Sequence, residues 1–309
     1  MHKTLNGALI GVLAIVSIAL SGCTSGSDGG DVGEPNLPQG EEIETTPDPS
    51  LTKLLPEDIR EKGFIGIAVD IPYPPFASYD DNGREVGFDP ELGRLLAQKL
   101  GIDVVISKQP FDSVIPSLQA NKHDIIMSGM NDTPEREKTI TFVDYSLGGF
   151  AILVRSGNPT NIETLTDLCG KTVSVQKSTV QGELLRATEC PGDPIDVMEL
   201  PTDPDALTAL RAGKSDAYSS DALVAEYVAA TTDDGNTYEI VRDPKNPAGF
   251  NPVYSGIGVL KEDTQLIDAV QKALQALMDE GTYQQVLDRN RMSAYAVDSA
   301  ETNLGGKSQ

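Results

Sequence analysis

The 309-residue chain sets 47 acidic against 24 basic side chains, for a net charge of −23, and nowhere clusters its Lys and Arg. Such a surface has nothing with which to neutralise phosphates or grip anionic headgroups, so nucleic-acid binding and electrostatic adhesion to membranes are excluded. The two histidines, His2 and His123, are far apart in the chain, and no metal-ligand spacing accompanies them; neither a metal nor a cofactor is expected.

Lys3 precedes an apolar run from Ala8 to Leu20, broken only by Gly11 and Ser17. Thirteen residues rising ~1.5 Å each cover about 20 Å, short of a ~30 Å hydrocarbon core, so residues 1–22 read as a signal peptide rather than a span. Leu20-Ser21-Gly22-Cys23 reads as a lipobox: small residues admit the peptidase and the Cys23 thiol takes a diacylglyceryl group. Residues 24–50 are Ser, Gly, Asp, Glu, Pro and Thr with few apolar side chains, too few to drive folding. Residues 23–55 are therefore expected to form a lipidated, disordered acidic linker, of which 24–50 alone would reach ~30 Å as a flexible coil.

Strand and helix signals then alternate. Ile65 to Val69 is a short apolar run. Asp89-Pro90-Glu91 offers an N-cap, a first-turn proline and an acidic first turn, and Leu92, Leu95, Leu96 and Leu100 follow at helical spacing with Gly101 as the stop. Val104–Ile106 and Ile125–Met127 read as strands around a helix through Val114 and Leu118. This is the rhythm of a mostly parallel sheet. After the apolar run Phe150–Val154 the pattern restarts, with strands at Thr172–Val175, Ile195–Val197 and Asp216–Tyr218 and helices from Thr179 and through Leu207 and Leu210. One internal echo supports two similar lobes: residues 115–129 align without gaps to 207–221, both reading helix, tight turn, Lys-x-Asp, strand, which places Gly129 and Asp221 at equivalent strand ends. A last strand, Gly256–Leu260, precedes a long amphipathic helix carrying Leu266, Ile267, Val270, Leu274, Leu277 and Met278 on one side. Residues 296–309 are expected to be a disordered tail. With Cys23 assigned to lipid, Cys169 and Cys190 remain as a pair in an exported protein and are expected to form a disulfide, two free thiols being the alternative.

Three motifs in order, Asp70-Ile-Pro-Tyr73-Pro-Pro-Phe76, Gly87-Phe-Asp89 and Ser128-Gly-Met-Asn131-Asp-Thr133-Pro-Glu-Arg136, make the chain resemble the extracytoplasmic solute-binding proteins of ABC importers, the polar amino-acid family 3 in particular, from about residue 57 to 290. The resemblance implies an α/β, two-lobe periplasmic-binding-protein fold of type II, each lobe a mostly parallel sheet flanked by helices. Lobe 1 would comprise residues 56–148 plus 257–295, and lobe 2 residues 149–256 with hinge strands at both ends. It implies a monomeric receptor, lipid-anchored on the outer face of the cytoplasmic membrane, that binds a polar amino acid and delivers it to an ABC permease without catalysing a reaction. A ligand sensor for a separate signalling protein and a secreted cyclohexadienyl (arogenate or prephenate) dehydratase are the alternatives, since fold alone does not fix function.

Several residues are candidates for the ligand. Arg136, just past a strand end, can hold a carboxylate by two parallel hydrogen bonds, and the family's matching arginine binds the α-carboxylate. Asp221 ends a strand of lobe 2; the matching aspartate takes the α-amino group, and an N-cap role is compatible with that. Thr179, after Lys177-Ser178, opens a helix whose amides can face an anion, and Gln176 at the end of the preceding strand is a further ligand candidate. Asn131 stands where Ser or Thr is usual, and Lys177 where glycine is. Gly129 would offer its carbonyl, Tyr73 and Phe111 aromatic walls, and Asp70 a partner for a cationic side chain. Phe76 reads as core and Asp132 as solvated.

Overall fold

The computed structural model describes residues 42–307. The expected signal peptide, Cys23 and the first part of the linker lie outside the described residues. In chain order the first segment holds α1 (Pro49–Thr52), α2 (Glu57–Lys62), β1 (Phe64–Val69), β2 (Ser78–Tyr79), β3 (Glu85–Val86), α3 (Phe88–Leu100), β4 (Asp103–Lys108), α4 (Val114–Gln119) and β5 (Ile125–Ile126). The middle holds β6 (Ile140–Arg155), β7 (Thr172–Gln176), α5 (Val180–Ala187), β8 (Asp196–Leu200), α6 (Asp203–Arg211), β9 (Ala217–Asp221), α7 (Ala222–Thr231) and β10 (Tyr238–Val241). The chain returns through β11 (Phe250–Leu260), α8 (Thr264–Asp279) and α9 (Thr282–Arg289).

The main sheet runs β4-β1-β5-β11-β6-β9-β7-β8, with β10 also on β6. Its two wings are parallel, β1 against β4 and β5, and β7 against β8 and β9, while β6 and β11 run antiparallel to each other and to their neighbours. At ~3.3 Å per residue the 16-residue β6 is about 50 Å long, too long for one small sheet. Its first half serves lobe 1 and its second half lobe 2. Two register shifts in its pairing with β11, at Phe250/Val253 and Ser255/Gly256, fall where the chain passes between the lobes, and such irregularities sharpen local twist. This is the two-lobe type II architecture.

Each lobe has an apolar centre. In lobe 1 the faces of α3 and α8 close on β1 through Leu92, Leu96, Leu274, Ile65 and Ile67, and each such side chain contributes about 1.5–3 kcal/mol relative to exposure. In lobe 2 Phe150, Ile152, Val173, Val175 and Leu185 cluster under α5. The Cys169 and Cys190 sulfurs are bonded at 2.01 Å, closing a loop that carries β7 and α5.

Three expectations are corrected. The expected linker folds over its last part: Leu51 and Leu55 are buried, Asp48 caps α1 by accepting from the Ser50 amide at 2.8 Å, and Thr45 and Asp48 donate backbone amides to the side chain of Gln98 and the carbonyl of Lys99. The apolar group Leu51, Leu54 and Leu55 supplies the driving force that the acidic average of residues 24–50 conceals. The expected disordered tail is packed from 296 to 307, with Ala300 and Gly305 buried and Glu301 to Gly306 bonded to residues of lobe 1. Its order comes from backbone amides meeting carboxylates, which composition does not register. Finally, α3 starts at Phe88 from Gly87, not from Asp89 as N-cap; Asp89 is buried and accepts the Gly129 amide at 2.8 Å.

Candidate functional site

The ends of β1, β5, β7 and β9 converge between the lobes. After β1 the chain forms a small knot in which Tyr73 and Ala77 exchange backbone hydrogen bonds of 2.7 and 3.0 Å. The Tyr73 ring stacks on Phe76 at 5.7 Å, and Phe76 is core, 1% exposed. Beyond β5, Gly129 sits at φ +54°, where a Cβ would come within 2.7 Å of the Phe76 ring, so the turn needs glycine for both conformation and space. That turn delivers Asn131 to the cleft.

Asp221, at the end of β9 and the start of α7, is 6% exposed. Its carboxylate makes no cap bond to its own helix. It accepts instead from two lobe 1 side chains, the Tyr73 hydroxyl and the Asn131 amide, the latter at 3.2 Å. Burial pushes its pKa up to about 6, opposed by those bonds and by Arg136. Behind it Asp203 accepts from Tyr218 at 2.6 Å and Ser220 at 3.3 Å, and burial carries it up to about 7. Ser220 also meets the Tyr73 hydroxyl at 3.0 Å.

Arg136 reaches across the cleft from lobe 1. One guanidinium nitrogen donates to the Asn131 carbonyl at 2.8 Å, another to the Ser178 carbonyl of lobe 2 at 3.1 Å, and the group lies over the Phe111 ring at 5.5 Å. Asp70 ends β1 with its amide on the Ser128 hydroxyl at 2.9 Å and its carboxylate accepting from Gln176 of lobe 2 at 2.6 Å; burial raises its pKa. At the edge, Lys177 pairs with Asp112 at 3.0 Å, again between lobes.

The sequence-selected residues thus fall into two linked sets. Tyr73, Asn131, Arg136, Phe111 and Asp221 form one continuous chain of contacts, and Asp70 with Gln176 a second. Gly129 and Thr179 are held by their own surroundings: Gly129 gives its amide to Asp89, and the Thr179 hydroxyl turns back to the Gln176 carbonyl at 2.7 Å. Asp203, Ser220 and Asp89 were not selected, because a buried carboxylate and a first-turn acidic residue are identical in sequence. Asp132 is not solvated but 1% exposed. A cavity of about 460 Å³ lies elsewhere, along residues 42–44 and α3, with Arg84 and Arg94 on its wall already paired to Glu42 and Glu85. Among the described residues no group of three or more His, Cys, Asp or Glu is placed to hold a metal ion, and no helix is long and apolar enough to cross a membrane.

An arginine on one lobe and a buried carboxylate on the other, joined through Asn131, set opposite charges across the cleft. Residues 65–291 match the model of the bacterial extracellular solute-binding proteins, family 3. The chain belongs to that family. It is 29% identical over 306 residues to the arginine-binding protein ArgT of Corynebacterium glutamicum, covering 96% of this chain and 94% of ArgT. A crystal structure of a mutant of ArgBP from T. maritima superposes with a TM-score of 0.69 at 32% identity, over 76% of this chain and 98% of that one. An ancestral amino-acid-binding protein described as a precursor of cyclohexadienyl dehydratase superposes at 0.66 with 28% identity, over 77% and 98%. The named relatives are amino-acid-binding proteins rather than enzymes.

Proposed function

We propose that this family 3 protein is a receptor that closes its two lobes over an amino acid and hands it to an ABC permease, working as a monomer held to the outer face of the membrane by lipid on Cys23. The observation that carries the reading is the Arg136-Asn131-Asp221 chain across the cleft. The ligand's carboxylate would take the guanidinium from the carbonyls of Asn131 and Ser178, a charge-assisted fork replacing neutral acceptors. Its ammonium would sit at Asp221, beside Tyr73 and Asn131, and hold that carboxyl ionised below the pH of about 6 at which burial would otherwise protonate it. Each charge contacts a different lobe, so the ligand's binding energy favours closure.

The walls favour a side chain with a positive end. Asp70 is buried against Gln176, and Asp203, Asp221 and Asp112 lie around the same space, while the cations acting there are Arg136, Lys177 and Lys108. ArgT, the relative aligned over nearly the whole chain, is named for arginine. A thermal-shift screen of the twenty amino acids with ornithine and citrulline tests the reading. A ligand at 100 times its dissociation constant adds about 2.7 kcal/mol of apparent stability, and arginine, lysine, ornithine or histidine should give the largest shifts. A screen in which no amino acid shifts the melt, together with aromatic product formed from arogenate, would replace the receptor by the dehydratase.

A further inference from the structure

The segment after α9 ends on the residues that flank the ligand contacts. Glu301 accepts the Asp144 amide at 2.9 Å, Thr302 bridges to Val143, and the Asn303 side chain accepts the Phe142 amide at 2.8 Å, so this segment lies along the free edge of β6 in lobe 1. Three successive amides then each find a carboxylate: Leu304 donates to Asp144 at 3.0 Å, Gly305 to Asp132 at 2.7 Å and Gly306 to Glu137 at 2.7 Å. Asp132 follows Asn131, and Glu137 follows Arg136. The amides therefore grip both ends of the loop that presents the two lobe 1 ligand contacts.

The fit is close. A Cβ on Gly305 would stand 2.2 Å from the Asp132 carbonyl oxygen, and one on Gly256, in β11, 2.9 Å from the Asp144 carboxylate. Asp132 hangs on β11 through the Tyr254 carbonyl at 2.7 Å, and Asp144 pairs with Gly256 from the other side. The absent side chain of Gly256 lets the two carboxyl groups approach over the strand where the lobes join. Each is buried with its second oxygen outside the hydrogen bonds described.

We propose that residues 301–307 are a positioning strap which fixes the Asn131–Arg136 loop for ligand by clamping Asp132 and Asp144 together over Gly256. Its bearing on ligand rests on the receptor reading above. The strap also carries a condition, because the buried Asp132 and Asp144 carboxyls act on each other and are held toward their neutral forms. Burial and mutual repulsion hold Asp132 up to about 8, and burial holds Asp144 up to about 7, Glu137 raising both and Lys307 and the strap amides opposing. Arg136 is the other charge that faces Asp132. Loss of their protons leaves like charges under the strap, so the clamp loosens as pH rises past the upper of the two values.

Hydrogen exchange of the full chain, without ligand, tests this directly. Ending the chain at Ala300 removes the strap, and Gly305→Ala lifts it by the 2.2 Å clash. Both should speed exchange across residues 129–137 at least about tenfold at pH 7 and leave β9 of lobe 2 as in the parent. From pH 6 to 9, corrected for intrinsic exchange, the parent loop should loosen, whereas Asp132→Asn, a neutral isostere, should hold its protection. Parent-like protection of 129–137 after truncation overturns the proposal, as does a pH profile shared by parent and Asp132→Asn. Calorimetry with L-arginine then reads the functional arm, with both strap variants about tenfold weaker than the parent. A parent that binds no L-arginine counts against the ligand reading, while the exchange rates still decide for or against the strap.

Discussion

The two lobes are built on one unit and finished differently. In lobe 1, α4 turns through Asn121 at φ +51° to Asp124, whose carboxylate accepts the Gly66 amide at the start of β1 at 2.6 Å. In lobe 2, α6 turns through Gly213 at φ +69° to Asp216, which accepts the Thr172 amide at the start of β7 at 3.0 Å. The next strand ends in Gly129 and Asn131 on one side and in Asp221 on the other. Lobe 1 then adds α8, α9, the N-terminal segment and the strap, and presents the cation; lobe 2 adds α7, β10 and a disulfide, and presents the carboxylate. Shared scaffolding fixes where strand ends meet, and the divergent residues at those ends decide what they meet around.

The comparison breaks most visibly if either charge is removed. Arg136→Ala and Asp221→Ala each strand the ligand's opposite charge in a closed cleft, at a cost of about 3–5 kcal/mol, so calorimetry should show binding weaker by hundreds of fold or more. Arg136→Lys keeps the charge but loses the fork and should still bind poorly. Affinity within tenfold of the parent for both alanine variants would dissolve the opposition of the lobes as described. Next in size is the staple of lobe 2: Cys169→Ser with Cys190→Ser releases a loop of sequence separation 21 and should cost about 3 kcal/mol, read as a lower denaturation midpoint. An unchanged midpoint would mean that lobe 2 holds itself without it.

Acid should favour the ligand-free protein. Asp89, Asp203 and Asp221 are carried by burial to about 7, 7 and 6, above their unfolded values, so between those limits the native state binds more protons than the unfolded chain. Stability is then fullest below pH 4, as far as these groups go, and is lost as pH rises through the native values, by roughly 1.4 kcal/mol per unit for each group held neutral. Melting of the empty protein at pH 5 should lie several degrees above that at pH 8. A cationic ligand reverses the order at Asp221, and its binding should release a proton below pH 6, visible as a buffer-dependent heat. The finest test is of the repeated unit itself: Asp124→Asn and Asp216→Asn should each cost about 1 kcal/mol and add in the double variant, being in separate lobes. Asp124 also pairs with Lys62 at 2.6 Å, and any excess cost there measures that ion pair.

Much of this scaffold is written in local patterns. The apolar runs at Ile65, Thr172 and Gly256, the leucine spacing of α3 and the echo of residues 115–129 in 207–221 depend on neighbours in the chain, and each became an element near its expected place. The motif residues that face one another across the cleft were legible because they lie at strand ends. What stayed hidden depends on partners distant in sequence. Asp89, Asp132 and Asp203 are acidic residues among 47 acidic residues, and only the fold shows that they are buried. The strap is mostly polar and carries Gly305-Gly306, a composition that reads as loose chain, yet its order comes from three carboxylates gathered by β6 and the turn that leads into it from β5. The segment 42–55 was missed for a different reason, since three leucines near its end were outweighed by the acidic stretch before them.

That N-terminal segment has a mechanical consequence. Thr45 bonds to Gln98 and Glu280, Asp48 to Lys99, and Thr52 to Leu100, all on α3 or at the end of α8, so whatever pulls on the chain upstream of residue 42 is taken up by lobe 1. The chain passes from that base to lobe 2 and back only through β6 and β11. If the proposed anchor holds the chain upstream of residue 42, its load falls on lobe 1, and lobe 2 would be free to turn on β6 and β11 without carrying it.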